Sequence, residues 1–199
     1  MKSRLVSEMR LYSASGERLY LNATEREAFR HAAHNQPPVI KAFCLFLLHV
    51  GCRLSEARFL RVRNIQESEG VVAIRTLKQR KNGKVRELPI HREAVTALLD
   101  LGLSPAARPW PVSRTTAWRW IKRVMDEAGL SGINASPKGL RHGFGVACVI
   151  GGVPIVTISN WLGHARLETT MIYTTVCGPE AKRLAERMWS QADPVELSA

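Results

Sequence analysis

Four short segments hold the residues of this chain best suited to chemistry. They are Gly51-Cys-Arg-Leu-Ser-Glu-Ala57, the stretch from Thr76 to Ile90, Lys138-Gly-Leu-Arg-His142, and Leu162-Gly-His-Ala165 followed by Ile172-Tyr-Thr174. Two arginines, several lysines, a histidine and, nine residues after it, a tyrosine make a set suited to reaction at phosphorus. Displacement there needs a nucleophile, stabilisation of the non-bridging oxygens and a proton for the departing oxygen. A tyrosine hydroxyl, with a pKa of about 10, is a weak nucleophile at neutral pH. A strongly cationic pocket favours its phenolate and also binds the phosphate. Guanidinium forks grip phosphate oxygens and stay charged. Such preorganised charge is usually the largest catalytic contribution. Taken singly, each residue has a plainer reading. A lone tyrosine is usually structural, His164 after Gly163 could cap a helix, and Arg53 could simply pair with Glu56.

Ordinary elements must hold these segments. Asn22 or Thr24 can cap a helix running to about His34, with Glu25 and Glu27 in its first turn. Asn35-Gln-Pro-Pro38 ends it, and an apolar helix from about Val39 to Val50 stops at Gly51. A short helix is expected over Leu54 to Leu60. Val71–Ile74 and Val85–Ile90 flank Asn82-Gly83, the pattern of a hairpin. His91 to Leu101 is expected as a helix with Ala94, Val95, Leu98 and Leu99 on one face. Ser113 caps another to about Ala128, with Trp118, Ile121, Val124 and Met125 inward and Arg119, Lys122 and Arg123 outward. Helices follow from about Pro137 to Ile150 and from Pro154 through Leu162. A short helix holds Tyr173, and Glu180 to Ser190 forms a last amphipathic one. The total is mainly α with a small antiparallel β-sheet. Leu140 to Leu162 has the outline of a helix-turn-helix. Its second helix is too apolar to read base edges, so core packing is expected.

Charge narrows the partners. Lys and Arg total 29 against 17 Asp and Glu, a net of +12. Arg53 to Arg92 carries 11 basic and 4 acidic residues, and Arg108 to Arg141 carries 7 and 2. Two such blocks point to a polyanion, with nucleic acid foremost. The N-terminus lacks an apolar signal core, and the most apolar run, Ala42 to Val50, is too short to span a bilayer. The four cysteines show neither CxxC spacing nor a nearby histidine pattern for zinc, so reduced thiols in a cytoplasmic protein are expected.

In this order the four segments resemble the tyrosine recombinase, or phage integrase, family over roughly residues 22 to 190. Its pattern runs Arg, Lys, His/Lys-x-x-Arg, His/Trp, Tyr. The resemblance implies the family's DNA breaking-rejoining catalytic fold over residues 21–190, with an N-terminal tail or linker over 1–20 and a C-terminal tail over 191–199. It implies that Arg53 and Arg141 clamp a scissile phosphate, that His164 donates a hydrogen bond to it, and that Tyr173 attacks to form a 3′-phosphotyrosine. Lys138 stands where many members have histidine. A hairpin lysine would protonate the 5′ oxygen: Lys78 is preferred, 25 residues after Arg53, with Lys81 as the alternative beside the turn. Arg80, Lys81, Lys84, Arg119, Lys122 and Arg123 are candidates for phosphate contacts. Glu56 would orient a neighbour, either Arg53 or His142.

The covalent link conserves the phosphodiester bond energy, so the chemistry calls for no cofactor and no metal. The partner implied is double-stranded DNA, with a homo-tetramer on paired recombination sites. A monomer is compatible with the chain away from DNA, and an accessory DNA-binding protein could supplement its grip. Most members carry a further helical domain before the catalytic one, whereas about 20 residues precede it here. That short form resembles the recombinases that invert fimbrial switches. Two other readings stand beside site-specific recombination. One is a type IB topoisomerase-like nicking and resealing enzyme, and the other is a catalytically inactive DNA-binding regulator. No membrane partner is implied.

Overall fold

The computed structural model describes residues 9–77 and 84–192. Helix α1 (Ala23–His34) begins with a reciprocal cap: Asn22 Oδ1 accepts from the Glu25 amide, and Glu25 accepts from the Asn22 amide, both at 2.8 Å. Helix α2 (Pro38–Val50) is apolar almost throughout and runs through the centre of the larger core, ending at Gly51. Helix α3 (Leu54–Ala57) is a single turn, shorter than the Leu54–Leu60 expected.

Strands β1 (Ile65–Gln66), β2 (Val71–Arg75) and β3 (Val85–Pro89) form one antiparallel sheet in that order. The two-residue β1 is too short to leave a pattern in the sequence. Val72 pairs with Leu88 and Ile74 with Arg86, so these four share the buried face. The Asn82-Gly83 turn lies outside the described residues. Helix α4 (Arg92–Leu99) starts at the His91 cap and packs on α2. Helix α5 (Arg114–Glu127) starts at Ser113, whose hydroxyl accepts from the Thr116 amide.

Two expected inward residues are not buried. Trp118 and Leu99 lie at the surface. The buried stripe of α5 centres on Ala117, Ile121 and Val124, so Trp120 rather than Trp118 reaches the core, edge-on to Phe43 at 5.6 Å. The loop Pro105–Pro111 adds Trp110, fully buried, with Nε1 donating to the Ala57 carbonyl at 2.6 Å.

Helix α6 (Pro137–Ile150) crosses between two cores. Its first half joins the larger one through Leu140. Its second half joins a smaller one with helix α7 (Ile155–Leu162), Tyr173, Val176, Leu11 and Tyr20. Leu11 and Tyr20 are buried, so the stretch expected as the end of a tail packs against the domain from Leu11 onward. Ile158 and Leu162 of α7 are buried, in keeping with core packing rather than base reading. Helix α8 (Glu168–Met171) and a 3₁₀ turn over Ile172–Thr175 carry Tyr173, and helix α9 (Pro179–Ala192) closes the described chain. No helix among the described residues is long and apolar enough to cross a membrane. Each large buried side chain contributes roughly 1.5–3 kcal/mol. The two cores thus fix the ends of α2, α6 and α7, where the chemical residues sit.

Candidate active site

Arg53 precedes α3 and is about a quarter exposed, whereas Glu56 at the end of that turn is buried. Glu56 Oε1 accepts from Arg53 Nη1 at 2.8 Å and Oε2 from the Arg53 amide at 3.0 Å. Of the two partners expected for Glu56, Arg53 and His142, the structure supplies Arg53. A second arginine completes the site. Arg86 on β3 is buried and donates from Nη2 to Glu56 Oε2 at 2.7 Å, from Nη1 to Thr76 Oγ1 at 2.9 Å and from Nε to the Trp161 carbonyl at 2.8 Å. Burial alone would raise the Glu56 carboxyl, but hydrogen bonds and charge from Arg86, with help from Arg53, hold it below its ordinary value.

Arg141 is buried on α6. Its Nη1 donates to the Gly51 carbonyl at 2.9 Å and its Nη2 to the Leu162 carbonyl at 2.7 Å. Arg53 Nη2 donates to the adjacent Gly163 carbonyl at 3.2 Å. The two arginines, 88 positions apart in the chain, therefore meet on the turn that ends α7. Gly163 has φ of 64°, a left-handed conformation that favours glycine. The Arg86 guanidinium also lies where a side chain at 163 would stand, 2.9 Å from an ideal Cβ. His164 follows, its amide bonded to the Ser159 carbonyl, so it does help close the helix while also facing the arginines.

His164 Nδ1 lies 2.8 Å from the Thr170 hydroxyl, and its Nε2 is buried with no hydrogen-bond partner among the described residues. Burial, then the charges of Arg141 and Arg53, push this imidazole down to about 3, so it is neutral at neutral pH. His142 is also neutral, held down to about 3 by burial and by the nearby charges of Lys138 and Arg141. Its Nδ1 lies 3.0 Å from the Tyr173 hydroxyl, and its Nε2 likewise lacks a partner among the described residues.

Tyr173 itself is fully buried. Its ring lies parallel to His164 at 6.3 Å and covers Gly145 of α6, where an added Cβ would fall 2.5 Å from Tyr173 Cζ. Burial pushes its phenol up to about 12, although Arg141 and Arg53 pull it the other way. The cationic groups expected to favour a phenolate are present, but desolvation outweighs them.

The remaining expected residues divide. Lys138 is exposed on the first turn of α6, one turn before Arg141 and His142. Lys78, Arg80 and Lys81 lie outside the described residues. Lys84 is exposed just before β3. Arg119 is exposed on α5; Arg123 pairs with Glu127 at 2.9 Å, and Lys122 donates to the Ala135 carbonyl at 3.1 Å. Arg86 and Gly145 carry no role in the sequence reading, and Thr170 enters it only as a neighbour of Tyr173, not as the partner of His164. Arg86 had left a signal: in Val85–Pro89 it alternates onto the same face as Leu88, and an inward arginine requires a buried carboxylate.

Residues 19–177 match the phage integrase family. The chain is 32% identical over 173 residues to the tyrosine recombinase XerD of Mycobacterium leprae, covering 77% of this chain and 52% of that protein. It is 32% identical over 155 residues to the tyrosine recombinase XerA of Pyrococcus furiosus, covering 72% and 52%. The chain thus spans about half the length of these relatives. Among solved structures, a crystal structure of XerA recombinase superposes with a TM-score of 0.72 at 25% identity, over 88% of this chain and 65% of that one. XerH site-specific recombinase bound to its difH substrate superposes at 0.68 with 18% identity, over 89% and 59%, a likeness of fold.

Proposed function

This chain belongs to the phage integrase family, and from that premise we propose that it is the catalytic domain of a site-specific recombinase acting on double-stranded DNA. It cleaves and rejoins the strand through a 3′-phosphotyrosine at Tyr173. The observation that carries this reading is the convergence of Arg53 and Arg141 on the Leu162–Gly163 carbonyls, beside the Tyr173 hydroxyl and the Nε2 of His164, which has no hydrogen-bond partner among the described residues. An anion entering there meets two guanidinium groups and a neutral imidazole donor.

Each residue then has a physical role. Arg53 and Arg141 hold the two non-bridging oxygens and offset charge as it builds on them. Thr170, donating its hydroxyl proton to His164 Nδ1, leaves the imidazole proton on Nε2, where it can bond a phosphate oxygen. Glu56 and Arg86 do not touch the phosphate; they fix Arg53 from behind. Tyr173 oxygen bonds to phosphorus as the bond to the 5′ oxygen breaks, and the departing oxygen takes a proton from the hairpin lysine, Lys78 or Lys81. Lys138, exposed on α6, adds positive charge near His142. Because Tyr173 is fully buried, the segment over 168–175 must shift to present it, and DNA binding supplies the energy for that shift. Lys84 and Arg119 extend the cationic surface along the DNA backbone. Paired sites would be held by four copies, as strand exchange between two duplexes requires four cleavages.

The deciding experiment uses a nicked suicide duplex carrying the recombination site, located first by sequencing DNA that copurifies covalently with the protein. The wild-type chain should give an SDS-stable adduct. Tyr173→Phe should give none while keeping its fold, since it loses a single hydroxyl. Equal trapping by both would remove Tyr173 as the nucleophile. Recombinant junctions from two intact sites separate recombination from topoisomerase-like nicking and resealing.

A further inference from the structure

A second group of chemically capable side chains lies apart from this site, where the ends of α1 and α2 meet the start of α4. His49 comes from the last turn of α2, His91 caps α4, and Glu93 stands in the first turn of α4. One ligand atom from each of these three lies within 4.8 Å of the others. Glu93 is bonded on both oxygens. Its Oε1 accepts from Arg30 Nη1 at 2.6 Å and lies 2.6 Å from His34 Nε2, while its Oε2 lies 2.6 Å from His49 Nε2. His49 and His91 stack with ring centroids 4.5 Å apart and planes 16° from parallel.

We infer that His49, His91 and Glu93 form a binding site for a zinc-class divalent cation, with the fourth position open to solvent. Two imidazoles and one carboxylate are donors for zinc or a similar late first-row ion, not for magnesium, which takes oxygen ligands. The cation replaces the proton between His49 Nε2 and Glu93 Oε2, and those atoms move slightly apart to reach metal bonds of about 2.0–2.2 Å. His91 is exposed, so it can leave the stack and turn a ring nitrogen onto the ion. Arg30 and His34 remain on Glu93 Oε1 and fix the orientation of the carboxylate, as outer partners of metal ligands do. His49 is two residues before Gly51, whose carbonyl holds Arg141. A cation here would tie α2 to α4 just behind the arginine pocket, as a structural fastening separate from the DNA chemistry.

The test uses the whole 199-residue chain, reduced and freed of metal, titrated with zinc chloride and separately with magnesium chloride in a calorimeter. One zinc should bind per chain and magnesium should not. His91→Ser retains a side chain able to cap α4 but lacks the ligand. It should keep its circular dichroism spectrum and lose at least tenfold in zinc affinity, as should Glu93→Gln. Cys177→Ser, which removes the exposed thiol, should bind as wild type. At free zinc a hundred times the dissociation constant, the folded population should gain about a hundredfold over the unfolded, seen as a higher melting temperature that a chelator reverses. The inference is overturned if no stoichiometric zinc binds, if His91→Ser binds as tightly as wild type, or if Cys177→Ser abolishes binding.

Discussion

The two sides of the candidate site are built in opposite ways. On one side, Arg53, Arg86 and Arg141 are each held by fixed acceptors: Glu56 and the backbone carbonyls of residues 51, 161, 162 and 163. On the other, Tyr173 is shut away under α6, its hydroxyl on a histidine and its phenol pushed up to about 12. The arginine side is already held in place, while the Tyr173 side is closed; under the proposed function, the first would be ready for a phosphate before the second opens. Such a division has a physical logic. Preorganised cations cost no rearrangement at the moment of reaction. If Tyr173 is the nucleophile proposed, its buried phenol cannot be used until binding energy moves it, which would restrict cleavage to DNA that is properly seated.

The largest effects should come from the chemical groups themselves. Beyond the complete loss expected for Tyr173→Phe, the hairpin lysine should matter by about two to four orders of magnitude in cleavage rate, as general acids do. Lys78→Ala and Lys81→Ala can be compared on a substrate whose 5′-bridging oxygen is sulfur. A thiolate leaves without a proton, so only the true acid's variant should be rescued. Rescue of neither would take the proton donor off the hairpin.

The cation side should break next most severely. Arg86→Leu leaves Glu56 buried with half its partners gone, a change worth about 3–5 kcal/mol when one member of a buried ion pair is removed. Urea unfolding would measure it. If Arg86 acts through Arg53, the variant should also lose affinity for site DNA, by a larger factor than it changes cleavage of DNA already bound. An unchanged midpoint in urea would mean that Arg86 is not part of the frame that the geometry describes.

Much of the frame could be read from the chain. The α1 cap, the length of α2, the stop at Gly51 and the run of α6 follow from local rules, and the structure has them where those rules put them. Arg141 and His164 announce themselves because a charge on an apolar helix, and a histidine after a helix-ending glycine, need a reason. What was not legible depends on distant contacts. Trp118 and Trp120 are equivalent by composition, and only the packing of α5 against Phe43 chooses between them. Tyr173 reads as a reactive phenol beside arginines, but the weight of burial appears only once Gly145 is beneath its ring. His49 and Glu93, 44 residues apart, carry no spacing pattern that sequence periodicity could expose.

Smaller perturbations sharpen the contrast. Gly145→Ala places a methyl 2.5 Å from Tyr173 Cζ, and overpacking of this kind costs roughly 1–3 kcal/mol. The same push should favour the open position of Tyr173. The variant should therefore be less stable in urea yet form its adduct on bound suicide substrate at least as fast as wild type. Slower adduct formation would show that the closed seat of Tyr173 is itself part of the reactive geometry.

The gentlest probe is pH. His142 and His164 are held down to about 3 in the folded chain by burial and nearby cations, while an unfolded histidine titrates near its ordinary value of about 6.5. Between those limits the unfolded chain binds more protons, so stability must fall as pH drops from about 6.5 toward 3. Glu56, held below its ordinary value, works in the same direction but only at the acid end of that range. The interval from pH 6.5 to 5 therefore reports the histidines. Each can add at most about 1.4 kcal/mol per pH unit to the slope. Replacing His164 with glutamine should reduce the slope of urea stability against pH in that interval. A bound phosphate analogue should change the slope further, because an anion beside His164 favours its protonated form. An unaltered slope in the variant would place His164 in contact with solvent, open rather than buried beside the two arginines.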